Sequence, residues 1–243
     1  LEMQQLQIQE QAGIDLICCG DFSPYDHVLD VAVSVGCLPE RFGAPGVLPT
    51  LMQYFELARG TDGISALEMT KWFNTNYHYL VPELPQLFRL LRNPISEALQ
   101  RGRRAVRAEV KPWILGPFTF LRLAKLQGLA LVSRLPELTA IYRQMMTEAN
   151  GASVSIIQVD EPALVTDVSE EEWRAVEQCY EELAQTGWPL CIQTYYDDVA
   201  TIWHQLIQLP VVAIGVDLVA GEQRNRGERR RRDPCSRDHI VAG

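Results

Sequence analysis

The chain has 243 residues, of which 47% are hydrophobic and 22% charged, with 16 Gly and 14 Pro. These are the proportions of an ordinary globular protein, and they exclude a disordered, collagen-like or low-complexity chain. No stretch approaches the ~20 consecutive apolar residues that a membrane-spanning helix needs. The first residues, LEMQQLQIQEQ, lack the basic and apolar regions of a secretory signal. We therefore expect a cytoplasmic protein with no membrane partner.

The net charge of −9 is unevenly distributed along the chain. Residues 222–243 hold seven Arg and four acidic residues, which leaves 15 basic and 27 acidic residues in 1–221. The acidic body predicts no nucleic-acid partner. The four consecutive Arg at 229–232 are open to two interpretations, a phosphate contact or a solvated, disordered end. Six cysteines without a secretory signal predict reduced thiols rather than a disulfide framework.

Short apolar runs alternate with helical patterns from the first strand onward. The run that ends in Gly20-Asp21 predicts a buried strand, and the helix after it is expected to have Ser23 as its cap and Pro24 at its first position. Strands are predicted at 14–21, 112–117, 154–159, 190–194 and 211–217, with a polar, β-like run at 70–79 as the sixth. Helices are predicted at 22–35 and 51–58, within 83–109, at 119–149 with a break near Pro136, at 170–186 and at 199–209.

This alternation predicts βαβ units and a mostly parallel sheet covered by helices. Polar residues at the carboxyl ends of the strands favour a barrel, because all of them would then meet at one mouth. They are Asp21, residues 74–78, Asp160, Thr194 and Asp217. The predicted fold is α/β, a (β/α)8 TIM-type barrel that is incomplete, with six to seven strands.

Two groups of residues near the predicted mouth are candidate site residues. The pair Asp160-Glu161 suits acid–base work or a cationic ligand, and equally suits a strand-end cap that binds backbone amides. In the β-like run, Lys71 together with Asn74 and Asn76 could bind an anionic ligand group. In the alternative interpretation, the aliphatic part of the Lys71 side chain packs on an aromatic ring and its ammonium group is solvated.

Other sites are not predicted from motifs. Zinc needs three or four convergent Cys, His or carboxylate ligands, and the chain has no Cys-x-x-Cys, His-x-Cys or His-Glu-x-x-His. We therefore expect no metal ligands in this chain. The sequence has no Gly-x-Gly-x-x-Gly, no P-loop and no Gly-x-Ser-x-Gly motif. It therefore gives no basis for predicting a dinucleotide site, a nucleoside triphosphate site or a serine hydrolase.

Five segments together resemble the N-terminal domain of the cobalamin-independent methionine synthases, over residues 8–221. They are QAGIDLICCGDFSPYDHVLD (11–30), EMTKWFNTNYHYLVPE (68–83), KPWILGPFTFL (111–121), IQVDEPALV (157–165) and VAIGVDLVAG (212–221). The string EMTKWFNTNYHY is highly specific. A fold-level resemblance to the uroporphyrinogen decarboxylases and corrinoid methyltransferases is weaker, because this string does not point there.

The resemblance implies a methyltransferase of two (β/α)8 barrels that moves a methyl group from 5-methyltetrahydropteroyltri-L-glutamate to homocysteine in methionine biosynthesis, without cobalamin. It implies that zinc, homocysteine and most of the folate bind in a C-terminal barrel, and that basic residues of the N-terminal barrel contact the polyglutamate tail. It makes Lys71 the first choice for that contact and leaves Asn74, Asn76, Asp160 and Glu161 as weaker candidates. Because the Asp160-Glu161 string comes without zinc ligands around it, we expect a structural role for it.

The resemblance has two departures. The family begins with a strand and a basic segment that have no counterpart here, and residues 222–243 are dissimilar except for His239 to Gly243, which resembles the start of an eighth strand. We expect a barrel domain at 1–221 and a divergent, disordered Arg-rich tail at 222–243. The leading hypothesis is an N-terminal methionine synthase barrel, inactive without a C-terminal barrel in cis or in trans. A non-catalytic folate-binding or scaffold module and a gene fragment without function remain as alternatives.

Overall fold

The computed structural model describes residues 1–126, 131–149 and 154–221, together with the backbone of 239–242. Its strands are β1 Leu16–Cys19, β2 Met69–Lys71, β3 His78–Leu80, β4 Glu109–Leu115, β5 Ile157–Asp160, β6 Leu190–Gln193, β7 Ala213–Val216 and β8 His239–Ala242. Its helices are α1 Glu2–Gln11, α2 His27–Ser34, α3 Leu51–Arg59, α4 Pro94–Ala105, α5 Pro117–Leu123, α6 Leu131–Ala149, α7 Glu170–Ala184 and α8 Trp203–Leu206. Short 3₁₀ turns lie at Glu40–Phe42 and Pro162–Val165.

Six strands form one parallel sheet in the order β1, β4, β5, β6, β7, β8. Strands β1 and β8 are its outer members, so within the described residues the sheet does not close into a cylinder. The prediction that residues 70–79 form one strand of this sheet is wrong, and β8 is the sixth member instead. Because the polar residues around Thr75 form a turn, the segment folds back as a separate antiparallel hairpin of β2 and β3. The structure therefore confirms the predicted α/β fold with an incomplete parallel barrel.

The core fills the space between the sheet and its helices. Alternate strand residues enter it, among them Val110, Ile114, Val159, Ile192 and Ile214. Tyr142 of α6 and Tyr180 of α7 are fully buried there, and the Tyr142 hydroxyl donates a hydrogen bond to the Leu115 carbonyl at 2.6 Å. Because side chains alternate along a strand, the residues between these apolar positions point to the opposite, concave face of the sheet.

The start of α2 differs from the prediction. Asp26, not Ser23, is the N-cap, and its carboxylate accepts hydrogen bonds from the backbone N–H groups of Val28 and Leu29, both at 3.2 Å. Ser23 instead accepts a hydrogen bond from the Tyr25 backbone within the preceding turn. Both Ser and Asp are good caps, and the segment from Phe22 to Asp26 has no local feature that separates them.

The predicted helix break near Pro136 is wrong. Pro136 lies inside the 19-residue helix α6, which is described from Leu131 onward. A proline in a helix interior costs roughly 3 kcal/mol, but its neighbours Leu135 and Leu138 are buried to 1% and 0% exposure. Burial of such side chains contributes roughly 1.5–3 kcal/mol each, which offsets that cost.

Two other predicted helices are shorter in the structure. Within 83–109 only α4 is helical, beginning after Asn93, whose side chain accepts a hydrogen bond from the Ser96 backbone. The segment ahead of it has no regular secondary structure and bonds to the end of α2, with the Leu91 N–H donating to the Ser34 carbonyl. Within 199–209 only the four residues of α8 are α-helical.

The predicted domain boundary at 221 stays a prediction, because residues 222–238 and 243, with the Arg-rich run, lie outside the described residues. Strand β8 is described and runs parallel to β7, with residue 239 opposite Ala213, where the sequence resembles the family's eighth strand. None of the helices in the described ranges has the length and apolarity needed to cross a bilayer.

Candidate functional site

The β2–β3 hairpin carries three of the candidate residues. Lys71 pairs with His78 across the hairpin, and the Trp72 N–H donates to the Tyr77 carbonyl at 2.8 Å. The turn between them is stabilised by Thr75, whose hydroxyl donates to the Trp72 carbonyl at 2.6 Å. Such side-chain bonds to nearby backbone are typical of tight turns rich in Asn and Thr.

Lys71, Asn74 and Asn76 are all exposed. Lys71 lies at the end of β2, on the side opposite to its buried neighbour Trp72, and the ten ion pairs found among the described residues do not include it. Asn74 and Asn76 lie at the tip, where the Asn76 carbonyl accepts a hydrogen bond from Nδ1 of His78 at 3.0 Å. The hairpin therefore presents one ammonium group and two amides to solvent.

Asp26 anchors the β3 side of this hairpin. Besides capping α2, its carboxylate accepts hydrogen bonds from the Leu80 N–H at 3.0 Å and from the Tyr77 hydroxyl at 3.4 Å. The residue is 1% exposed. Burial raises the pKa of Asp26 to about 6, although these donors oppose the rise. One buried carboxylate therefore ties a helix start to a strand of the hairpin.

An aromatic cluster fills the space between the hairpin and the sheet. The ring centroid of His27 lies 4.6 Å from that of Trp72 and 5.6 Å from that of Trp113 in β4, both edge-on, and 5.9 Å from the stacked ring of Tyr77. Burial lowers the pKa of His27 to about 4, so the imidazole is neutral near pH 7. Its place in this cluster is that of a packing residue.

Asp160 lies at the centre of the polar network on the concave face. It is 6% exposed and accepts a hydrogen bond from the Gln158 amide at 2.8 Å, with further donors from the Trp113 and Tyr195 side chains. Burial raises the pKa of Asp160 to about 6, and these donors oppose the rise. The Lys111 ammonium donates to the other end of Gln158 at 2.6 Å. Asp160 is thus held by donors from three strands or strand ends.

Glu161 points away from this network, into the N-terminus of α5. It is fully buried, and its carboxylate accepts hydrogen bonds from the Phe118 N–H at 3.2 Å, the Thr119 N–H at 2.7 Å and the Tyr180 hydroxyl at 3.1 Å. This is the geometry of an anion at a helix N-terminus. Of the two interpretations that the sequence left open, the contacts of Glu161 are those of the strand-end cap.

Two further predicted mouth residues, Thr194 and Asp217, organise the loops after β6 and β7. The Thr194 hydroxyl donates to the Gly215 carbonyl at 3.1 Å. The Asp217 carboxylate accepts hydrogen bonds from the Tyr196 N–H at 2.8 Å and the Val219 N–H at 2.6 Å. Asp21 follows β1 after a single residue, Gly20. Thr194 and Asp217 stand at the carboxyl ends of the neighbouring strands β6 and β7, and Asp21 stands at that end of β1, as the sequence predicts. For residues 74–78 the prediction is wrong, because they follow no strand of the parallel sheet and lie in the turn of the antiparallel hairpin and at the start of β3.

Side chains that could bind a metal are dispersed over the described residues. Within them, no three His, Cys, Asp or Glu side chains converge as metal ligands. The thiols of Cys18 and Cys191 belong to the concave face, but burial raises the pKa of both above the usual range of a thiol. Neutral thiols are poor ligands and nucleophiles. The resemblance places zinc in a C-terminal barrel, and the described residues of this chain offer no set of ligands that would hold it.

Sequence reasoning missed Asp26, His27 and Tyr196, which together with Trp72 fix the hairpin to the sheet. Tyr196 lies 124 positions from its partner Trp72, so no local pattern connects them. The only sequence signal is the aromatic pair Tyr195-Tyr196 placed directly after a predicted strand.

Parallel strands with their polar residues gathered at the carboxyl ends define a TIM-type barrel domain whose mouth is the candidate site. The family model described as "Cobalamin-independent synthase, N-terminal domain" matches residues 1–243. The chain therefore belongs to the cobalamin-independent synthase family, as an N-terminal domain of that family.

Similar proteins agree with this membership. The 5-methyltetrahydropteroyltriglutamate–homocysteine methyltransferase of Herpetosiphon aurantiacus is 51% identical over 208 residues, which are 86% of this chain and 28% of that protein. The protein of the same name from Halalkalibacterium halodurans is 43% identical over 229 residues, 93% of this chain and 30% of that protein. The chain thus spans less than a third of the length of these relatives.

One solved structure supports the fold alone. The B12-independent methionine synthase from Shewanella sp. W3-18-1, in complex with selenomethionine, superimposes with a TM-score of 0.63 at 15% sequence identity. The match covers 100% of this chain and 68% of that one.

Proposed function

We propose that this chain is the part of a 5-methyltetrahydropteroyltriglutamate–homocysteine methyltransferase that holds the polyglutamate tail of the folate, with Lys71 as the tail contact. The methyl transfer itself, in methionine biosynthesis and without cobalamin, takes place on a zinc-bearing C-terminal barrel, present in cis or in trans. Alone, the chain binds the folate tail and transfers no methyl group.

The single observation that carries the proposal is that Lys71 is exposed and is used by none of the ion pairs found among the described residues. Its ammonium lies on an anchored hairpin, beside Asn74 and Asn76. Lys125, by contrast, pairs with Glu68 at 2.6 Å. An unused point charge attracts several γ-glutamyl carboxylates over a range of about 8–10 Å at moderate salt and tolerates a flexible tail.

Asp160 and Glu161 are given supporting roles. Asp160 already receives donors from Gln158, Trp113 and Tyr195, and Glu161 caps α5. A carboxylate whose lone pairs already accept hydrogen bonds has little remaining capacity to accept one from a ligand.

The five described cysteines are free thiols, which supports a reducing, cytoplasmic location.

The test compares folates of different tail length on Lys71→Ala. We expect the affinity for 5-methyltetrahydropteroyltriglutamate to fall about three- to tenfold, which corresponds to ion pairs of roughly 0.2–1 kcal/mol with two or three exposed carboxylates. The affinity for the monoglutamate should change little. The matched control is Lys125→Ala, which removes an ammonium that already has a partner. An equal effect of Lys71→Ala on both folates would remove Lys71 from the tail site.

Activity provides a second test. The pure chain, supplied with zinc, homocysteine and the triglutamate folate, should show no methyl transfer, because the described residues contain no convergent metal ligands. Measurable turnover would overturn the assignment of the chemistry to another barrel. A chain that binds neither folate would favour the interpretation as a fragment without function.

A further inference from the structure

A long-range hydrogen bond joins the hairpin that carries Lys71 to the loop after β6. The indole Nε1 of Trp72 donates to the Tyr196 hydroxyl at 2.7 Å. The Phe73 ring lies against the same tyrosine, with 5.7 Å between centroids. Trp72 is 2% exposed and Tyr196 is 36% exposed, so the bond lies at the edge of the aromatic cluster, where the hairpin meets the loop after β6.

Backbone strain is concentrated at the same contact. Phe73 has φ +48° and Tyr196 has φ +79°, and among the described residues they are the two non-glycine residues at positive φ. Bulky residues avoid this region, and they persist there only where the surroundings hold them. The Tyr196 backbone is held by its N–H, which donates to Asp217 at 2.8 Å. Phe73 and Tyr196 are thus both held in strained backbone conformations that the same residues would not keep in an unrestrained loop.

This contact determines where Lys71 points. Trp72 follows Lys71 directly, and successive side chains of a strand point to opposite sides. With Trp72 held by Tyr196 and buried, Lys71 is directed outward. The β3 side of the hairpin has its own anchor, Asp26, so loss of the Tyr196 bond would loosen the β2 side and leave the hairpin attached.

We infer that Tyr196 is a positioning residue for the folate tail, which acts by holding Trp72 so that Lys71 faces the γ-glutamyl carboxylates. This inference rests on the proposed function. It assigns the discrimination of tail length to a contact between two loops, and not to Lys71 alone.

The test is Tyr196→Phe, which removes the acceptor hydroxyl and keeps the ring. We expect the triglutamate affinity to fall about threefold, within the range of one exposed ion pair, with the monoglutamate affinity unchanged. The indole N–H resonance of Trp72, assigned with Trp72→Phe, should shift in a ¹⁵N correlation spectrum. The matched control is Tyr142→Phe, which removes a tyrosine hydroxyl bond in the core and should leave the ratio of the two affinities unchanged.

The double variant with Lys71→Ala separates the outcomes. If Tyr196 acts through Lys71, adding Tyr196→Phe to Lys71→Ala causes no further loss, because coupled residues are not additive. Independent, additive losses would overturn the inference. If Lys71→Ala lowers only the triglutamate affinity and Tyr196→Phe lowers neither, the inference is overturned and the proposed function stands. If Lys71→Ala affects both folates equally, both are overturned.

Discussion

The contact between Gly116 and Glu161 gives a sharp test of the helix-capping role. Gly116 precedes α5 with φ −70°, a conformation open to any residue, but a Cβ at this position would overlap the Glu161 carboxyl group. Overpacking of a filled site costs roughly 1–3 kcal/mol, and the cap itself holds the buried carboxylate in place. We expect Gly116→Ala to lower the free energy of unfolding by about 2–3 kcal/mol.

Glu161→Ala should also destabilise the chain, by about 2–4 kcal/mol, because it leaves two buried N–H groups and the Tyr180 hydroxyl without their acceptor. In the double variant the new methyl group of residue 116 enters the space that the carboxyl group leaves. The double cost should therefore be smaller than the sum of the single costs by about 2 kcal/mol.

Urea unfolding of the four proteins at one pH measures this coupling. For a chain of this size 1 kcal/mol corresponds to roughly 2–4 °C in Tm, so thermal scans give an independent reading. Glu170→Gln is the control, since Glu170 is in the first turn of α7 but its side chain is 90% exposed. Costs that add within 0.5 kcal/mol would refute the packing argument. A stable Glu161→Ala variant that no longer binds folate would refute the capping role.

Two predictions concern pH and have opposite signs. Burial raises the pKa of Glu161 to about 7 from 4.5, so the folded chain binds this proton more tightly than the unfolded chain. The free energy of unfolding should therefore fall by about 2–3 kcal/mol as the pH rises from 4.5 to 7. The variant Glu161→Gln should lack this dependence on pH. Burial lowers the pKa of His27 to about 4 from 6.5, so stability should fall by a similar amount as the pH drops from 6.5 to 4, and His27→Gln should lack that loss. Equal slopes in variant and parent, measured by urea unfolding, would contradict either one.

Local patterns predicted much of the sheet. The strands of the sheet are short apolar runs bounded by Gly, Pro or Asp. A nearly continuous apolar run such as VSIIQVD is typical of a buried parallel strand. The same patterns placed Asp160 and Asp217 at the carboxyl ends of strands, where the structure has them.

The features that the sequence did not predict depend on residues far away along the chain or on burial in the folded protein. Whether Pro136 breaks a helix depends on the burial of Leu135 and Leu138, which no local rule gives. The choice of Asp26 over Ser23 as cap is explained by Leu80, 54 positions away, whose N–H also needs that carboxylate. The role of Lys71 stays a prediction, because a hairpin of alternating polar and aromatic residues suits a solvated surface as well as a binding surface.

The order of strands in the sheet has a consequence for the route of folding. Strands β4 to β7 follow one another along the chain and pair in sequence, whereas β1 must pair with β4 across residues 20–108, more than twice the length of the 116–156 connection. Each doubling of such a loop adds roughly 0.6 kcal/mol of closure entropy, and pairing between distant segments slows folding. The hairpin with Lys71 lies inside that long excursion. We therefore expect this hairpin to become ordered after strands β4 to β7, so that a nascent chain completes most of its sheet before the hairpin takes its final place.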